Sequence, residues 1–196
     1  MKSIFLRLLP CVVALLLIGG CVLSEQPLSA IQDAQPDLRL VGTWHEESET
    51  ESKQDIRVSY DPQGLGHLSK KTGSNPSPSK PNDVTFFVTK TDKASYLNVL
   101  ILDGDKQNEK GKHYQFYKYT VSEDQKILHL WTTKIPTFQK AVRESKLKGQ
   151  LESADGSNPE QQSVVLQDSS EAILRFLETL PPEEAFTDFG VSTKVD

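Results

Sequence analysis

The chain is poor in several things at once. It has two cysteines and four histidines in 196 residues. So few cysteines exclude a disulfide-dense secreted scaffold. The hydrophobic fraction is 36%, low for a globular chain. Only one stretch, near the N-terminus, is apolar enough to enter a bilayer, which excludes a polytopic helical membrane protein. Positive charge is also short. Twenty-two Lys and Arg face 27 Asp and Glu, and the net charge of -5 argues against a general nucleic-acid binder. There is no G-x-S-x-G elbow, no Walker loop and no H-E-x-x-H pair. What remains is enough length for one domain with a real core, and too little for two comfortable ones.

The first twenty residues read as a targeting segment. Lys2 and Arg7 make a short positive region, and Leu8 to Ile18 is an apolar run broken only by Pro10. Gly19, Gly20 and Cys21 follow. Charge, run length and small residues before a cleavage point define a signal peptide, too short to act as a spanning helix. The run Ile18-Gly19-Gly20-Cys21 resembles the lipobox of bacterial lipoproteins. That resemblance implies lipidation of Cys21, which becomes the first residue of the mature chain. Val22, rather than aspartate, after the cysteine implies sorting to the outer membrane. Two or three acyl chains on one residue give stable anchoring, whereas a single chain binds only marginally. Removal of residues 1-20 also takes away Lys2, Arg7 and Cys11, so the mature net charge is -7. The anchor occupies the last cysteine, leaving no disulfide and no thiol for catalysis or zinc.

Residues 21-37 are expected to be the acylated cysteine and a flexible tether, since they are mostly small and polar with two prolines. A short helix near Leu28 to Ala34 is the alternative. Residues 38-196 then form a single β-rich domain. Strands are expected at Leu40 to Glu46, at Ile56 to Tyr60 and at Leu65 to Lys71, the last two joined by the Asp61-Pro62-Gln63-Gly64 turn. Residues 72-83 carry three prolines and cannot be a central strand, so they read as an exposed loop. Residues 84-133 read as a four-stranded antiparallel meander. Pro136 opens a helix running to about Lys146. Gly149 to Ser153 and Ser163 to Gln167 look like a further strand pair. Asp168, spaced from Glu171 as in a capping box, starts an amphipathic helix carrying Ile173, Phe176, Leu177 and Leu180, which Pro181-Pro182 ends. Residues 183-196 are expected to pack through Phe186 and Phe189 and then fray. The count predicts a mainly β (β+α) fold: an antiparallel lipocalin-like barrel or curved sheet of about 8-9 strands with two covering helices. The helices are expected over one opening or one edge.

Leu40-Val41-Gly42-Thr43-Trp44 resembles the L-x-G-x-W motif that opens the first strand of lipocalin-like barrels. The resemblance implies that Trp44 lies at the closed end of a barrel, near a basic residue from late in the chain. Arg175, the only late arginine, sits in the predicted helix without a matching local motif, so that role is not assigned to it. The family's second motif, a T-D-Y-like triplet, is absent.

The remaining chemistry is sparse. His45, His67, His113 and His129 are scattered, with no ligand-spaced pair. His45 beside Glu46 and Glu47 reads first as a strand-end histidine among solvated acids, and only second as a metal site. Asp103-Gly104-Asp105 with Asn108 lacks the glycine and glutamate positions of a calcium loop. Period-two alternation places Tyr117 and Tyr119 on the face opposite Tyr114 and Phe116, and His129 and Trp131 opposite Leu128 and Leu130. These residues support two expectations. One is a membrane-anchored, non-enzymatic envelope lipoprotein that holds a small apolar ligand or lipid, with Trp44, Tyr117, Tyr119 and Trp131 as contacts. The alternative is a structural or interaction lipoprotein with a filled core that binds another envelope component. No cofactor or metal is expected.

Overall fold

The computed structural model describes residues 21-46, 55-71, 84-102, 112-153 and 162-195. The targeting segment, the 72-83 loop and the calcium-like run lie outside the described residues.

Eight strands close on themselves. They are β2 (Gly42–Glu46), β3 (Asp55–Tyr60), β4 (Gly66–Lys71), β5 (Val84–Lys90), β6 (Ser95–Leu102), β7 (Lys112–Val121), β8 (Ile127–Thr133) and β11 (Phe186–Val195). Each pairs antiparallel with its neighbour, and β11 pairs with β2 to seal the wall. Closure removes the free edges that an open sheet of this size would have to protect. The mainly β, antiparallel, lipocalin-like barrel expected from the strand count is present.

Three strands extend the wall. β1 (Val22–Ser24) runs parallel to β10 (Ser163–Leu166), which pairs with β9 (Gly149–Glu152). Through Ser24 and Tyr114, β1 also joins β7. The meander over residues 84-133 is therefore as expected, and β1 and β11 are the strands that the sequence did not announce.

Alternation splits the apolar residues into two cores on opposite sides of the wall. Trp44, Val58, Phe86, Val88, Leu97, Val99, Tyr119 and Leu128 face the lumen and pack together. Phe87, Tyr96, Tyr114 and Phe116 face outward. They are covered by Val22, Val164 and Leu166, by α1 (Ile135–Arg143) through Phe138 and Ala141, and by α2 (Ser170–Thr179) through Ile173 and Leu177. Each fully buried side chain of this size contributes about 1.5–3 kcal/mol. The two helices thus cover the outer wall and not an opening, because their apolar stripes meet the outward aromatics of β5 to β7.

Three local expectations are corrected. Residues 22-37 are not a tether: Val22, Ser24 and Leu28 are buried, and the Leu28 N–H donates to Asn98 Oδ1 at 2.7 Å. Single residues in register with the wall hold this segment, not a long apolar run. The helix alternative is met only by a 3-10 turn at Ile31–Asp33. The cap of α2 is Ser169, whose side chain accepts from the Ala172 N–H at 3.2 Å, while Asp168 accepts from the Lys148 N–H. The C-terminal stretch is the closing strand, entered through the short helix α3 (Pro182–Ala185).

Candidate functional site: the lumen and its floor

The antiparallel order gives the barrel two distinct ends. Connections 61-65, 91-94 and 122-126 lie at one end, together with the 3-10 turn Leu38–Leu40 that precedes β2. The strand ends Glu46, Asp55, Lys71, Val84, Leu102 and Lys112 lie at the other end, where β8 also departs for α1.

The first end is a built floor. Leu40 is buried, and the Trp44 indole N–H donates to its carbonyl at 2.7 Å. Lys194, on β11, places its ammonium 5.3 Å from the centre of the Trp44 ring and donates to the Arg39 carbonyl. Such a contact contributes about 0.5–1 kcal/mol at an exposed site. A basic residue from late in the chain does meet the tryptophan, as the lipocalin-like motif implies. It is Lys194, and Arg175 lies away on α2. The missing signal was a strand at the C-terminus, without which Lys194 had no position.

Asp37 ties the floor together. Its side chain is only 3% exposed. It accepts from Arg39 Nε at 2.9 Å and Nη2 at 2.7 Å, and from the Tyr119 hydroxyl at 2.8 Å. Lys90 Nζ lies 3.3 Å away, and the Asp37 N–H donates to the Tyr60 hydroxyl. Burial by itself pushes this carboxyl up. The donors from Arg39 and Tyr119 and the charge of Lys90 outweigh it and hold the carboxyl well below the usual carboxylate range. The same anion, after burial, pushes the Tyr119 phenol far up and Tyr60 to about 12. Asp37 escaped sequence reasoning because it was assigned to the tether.

The mouth half of the lumen differs. Leu68, Ile101, Tyr117 and Leu130 face inward but are only half-buried. Val84, opposite Leu68, and Phe189, edge-on to Tyr117 at 5.1 Å between ring centres, are exposed. Solvent therefore reaches the inward face at these residues, while Val99 and Gln115, nearer the mouth end of β6 and β7 than Tyr117, are buried. Burial, with Cys21 second, pushes the Tyr117 phenol up to about 12, so it is a neutral amphipathic ring at ordinary pH.

The four sequence-selected aromatics thus fall in three places. Trp44 and Tyr119 form the floor. Tyr117 lines the mouth half. Trp131 is on the outer face, stacked on His129 at 3.8 Å and lining a surface cleft of about 430 Å³ with Lys118, Lys134 and Phe186.

Cys21 is part of the fold. Its N–H donates to Ser163 Oγ at 3.2 Å, and its carbonyl accepts from the Val164 N–H at 2.8 Å. His45 hydrogen-bonds Asp55 at 2.9 Å. Among the described residues, no group of three or more His, Cys, Asp or Glu is placed to hold a metal.

The arrangement defines a lipocalin-like barrel with a packed floor. No family model, curated protein or solved structure matches the chain.

Proposed function

We propose that this chain is a bacterial envelope lipoprotein, anchored through acylated Cys21 at the outer membrane, and that its barrel binds a small apolar ligand or lipid without catalysis. The observation that carries the binding half is the split lumen. A sealed floor gives a site depth, and a half-buried apolar wall of Leu68, Ile101, Tyr117 and Leu130 gives it a surface whose burial would stabilise a hydrocarbon chain. The neutral hydroxyl of Tyr117 at the mouth suits a polar head. The anchoring half is supported by the lipobox-like run ending at Cys21.

The test is native mass spectrometry on residues 21-196 carrying Cys21→Ser, exported to a periplasm behind a signal that is not a lipobox. The expected result is a reproducible excess mass of lipid size, lost on denaturation. A clean apo mass that persists after incubation with envelope lipid extract refutes binding.

A second reading has its own observation. Leu38, Val41, Ile127 and Val195 are exposed and cluster at the closed end, with Leu38 73% accessible. Such a patch fits an interaction lipoprotein that presses this end against another envelope component. A clean apo mass together with loss of function on Leu38→Ser would select it.

A further inference from the structure

We propose that the outer-wall cleft beside Trp131 is a saccharide-binding site, separate from the lumen. It goes beyond the lumen reading and does not depend on it. The cleft encloses about 430 Å³. That is at the lower end of ligand pockets, about 300–1,000 Å³, and suits a short segment of sugar rings. Its key side chains share one face of the wall. Lys118 on β7 and Asp188 on β11 each lie directly opposite Trp131 on β8, and directly opposed residues point the same way. Phe186, opposite Thr133, is the next outward position along the same rows.

Both sides of the cleft are held in place. His129, two residues before Trp131 on β8, stacks on the indole with ring centres 3.8 Å apart. His129 Nε2 is itself hydrogen-bonded to Asp188 at 3.1 Å. One indole face is therefore propped, and the other looks along β8 toward Phe186 and α3. The far side is α3, which brings Pro182 and Glu183 to the cleft. Three hydrogen bonds pin α3 to the start of α1. The Lys134 N–H donates to the Ala185 carbonyl, the Lys134 ammonium to the Glu183 carbonyl, and the Thr137 hydroxyl to the Glu184 carbonyl. A slot with two fixed sides loses little freedom when a ligand enters.

The lining selects the class of ligand. A hydrocarbon would leave the charged rim unsatisfied. An anion would meet Lys118 and Lys134, but also the carboxylates of Asp188 and Glu183, so the formal charges cancel. A ligand cation would find the ring already served, since the Lys118 ammonium lies 5.7 Å from its centre. A pyranose meets all of these groups at once. Its C–H face suits the negative face of the indole, and its rim of hydroxyls both donates and accepts. Lys134, Asp188 and Glu183 supply matching donors and acceptors around the slot. Lys118 makes no ion pair among the described residues, and its flexible stem lets the ammonium turn from the ring to a sugar hydroxyl.

The test is a nitrogen–proton correlation spectrum of the mature chain, residues 21-196 with Cys21→Ser, titrated with cellotriose and separately with triacetylchitotriose. The chain has two tryptophans, so two indole N–H signals report two places. Trp131 reports the cleft. Trp44, buried with its N–H on the Leu40 carbonyl, reports the lumen floor. Trp131→Phe assigns the pair. The Trp131 signal is expected to move and saturate with a dissociation constant of about 1 mM, while the Trp44 signal stays. Saturation transfer from the protein should reach the ring C–H protons of the sugar and fall several-fold in Trp131→Ala. It should also fall several-fold in Asp188→Ala, which removes a rim acceptor and the partner that fixes His129. An unmoved Trp44 signal in each variant shows that the barrel is intact, and if Trp131→Ala disturbs it, Asp188→Ala decides. No movement of the Trp131 signal with either sugar up to about 10 mM overturns the proposal. So does movement of Trp44 instead, which would put the sugar in the lumen. A Trp131 signal that answers to phosphocholine or benzoate but to neither sugar overturns the ligand class.

Discussion

Replacing Asp37 by alanine asks how much of the barrel floor hangs on one buried anion. Three cationic or phenolic donors converge on it, but they are not equivalent. Arg39 and Lys90 are 44% and 43% exposed and can turn to water, so each ion pair contributes about 0–1 kcal/mol. Tyr119 cannot turn. It is 1% exposed, and without the carboxylate its hydroxyl loses the acceptor at 2.8 Å, a cost of about 1–3 kcal/mol. Asp37→Ala should therefore destabilise by about 2–4 kcal/mol in urea denaturation. Tyr119→Phe should cost only about 1 kcal/mol, because Arg39 still serves the carboxylate. The double variant should show a coupling of about 1–2 kcal/mol. The pH dependence follows from the direction of the shift. The folded carboxyl lies below its unfolded value of about 3.9, so its stabilisation is present above that pH and is lost as pH falls toward the folded value. The gap between wild type and Asp37→Asn should narrow steadily below about pH 4. A gap that is the same at neutral and acid pH, or a coupling near zero, refutes the buried-anion account.

Alkaline titration should be equally diagnostic. Tyr60, Tyr96 and Tyr117 are pushed up to about 12 by burial, and Tyr114 and Tyr119 are raised as well. A raised phenol stabilises the fold below its unfolded value near 10 and loses that contribution as pH climbs. Tyrosinate absorbance should thus appear only with loss of far-ultraviolet ellipticity, and tyrosines ionising near pH 10 in a folded chain would contradict the burial. Gly66→Ala places a Cβ 2.2 Å from Phe86 Cζ, inside the lumen core. It should cost about 1–3 kcal/mol, and Phe86→Leu in the same chain should recover part of it. Trp44→Ala should cost about 3–5 kcal/mol. Lys194→Met should cost about 1 kcal/mol or less, because only the cation over the ring is lost. Thermal unfolding would rank the two, and the opposite order would remove Trp44 from the floor.

The parts of the fold legible in the sequence were those with a clean period. Ile56, Val58 and Tyr60 alternate with Arg57 and Ser59, and Val84, Phe86 and Val88 keep the period although Phe87 adds an apolar residue to the other face, so these strands were readable; Tyr117 and Tyr119 lie opposite Tyr114 and Phe116, on the lumen side. β11 was illegible for a specific reason. Its register slips between Asp188 and Gly190, so Phe189 is an extra residue and Phe186 and Val191 do not keep one alternation. Losing that strand also hid Lys194, the partner of Trp44. The floor was hidden differently. Asp37-Leu38-Arg39 has no periodic signature, and a carboxylate in a proline-flanked polar segment looks solvated until Tyr119 and Lys90 are brought to it from distant strands. The mouth was half visible: Tyr117 was chosen, but Leu68, Ile101 and Leu130 were ordinary strand residues whose incomplete burial only three dimensions reveal.

The N-terminal segment joins these observations into one mechanical argument. Between Cys21 and Leu40 it does three jobs in order. It carries Cys21, the proposed attachment point, it covers the outer wall through Val22 and Leu28, and it seals the lumen through Asp37 and Leu40. None of these contacts is a long apolar run, so the segment has little tendency to order alone and draws its order from the barrel. The dependence also runs the other way. The barrel would lose its floor if the segment peeled off, since the acceptor of Tyr119 and the carbonyl held by Trp44 both belong to it. A load applied at Cys21 is first met by the hydrogen bonds to Ser163 and Val164, then by Leu28 on Asn98, and only last by Asp37. The floor is thus the part of the segment farthest along the chain from Cys21, the residue of the proposed anchor.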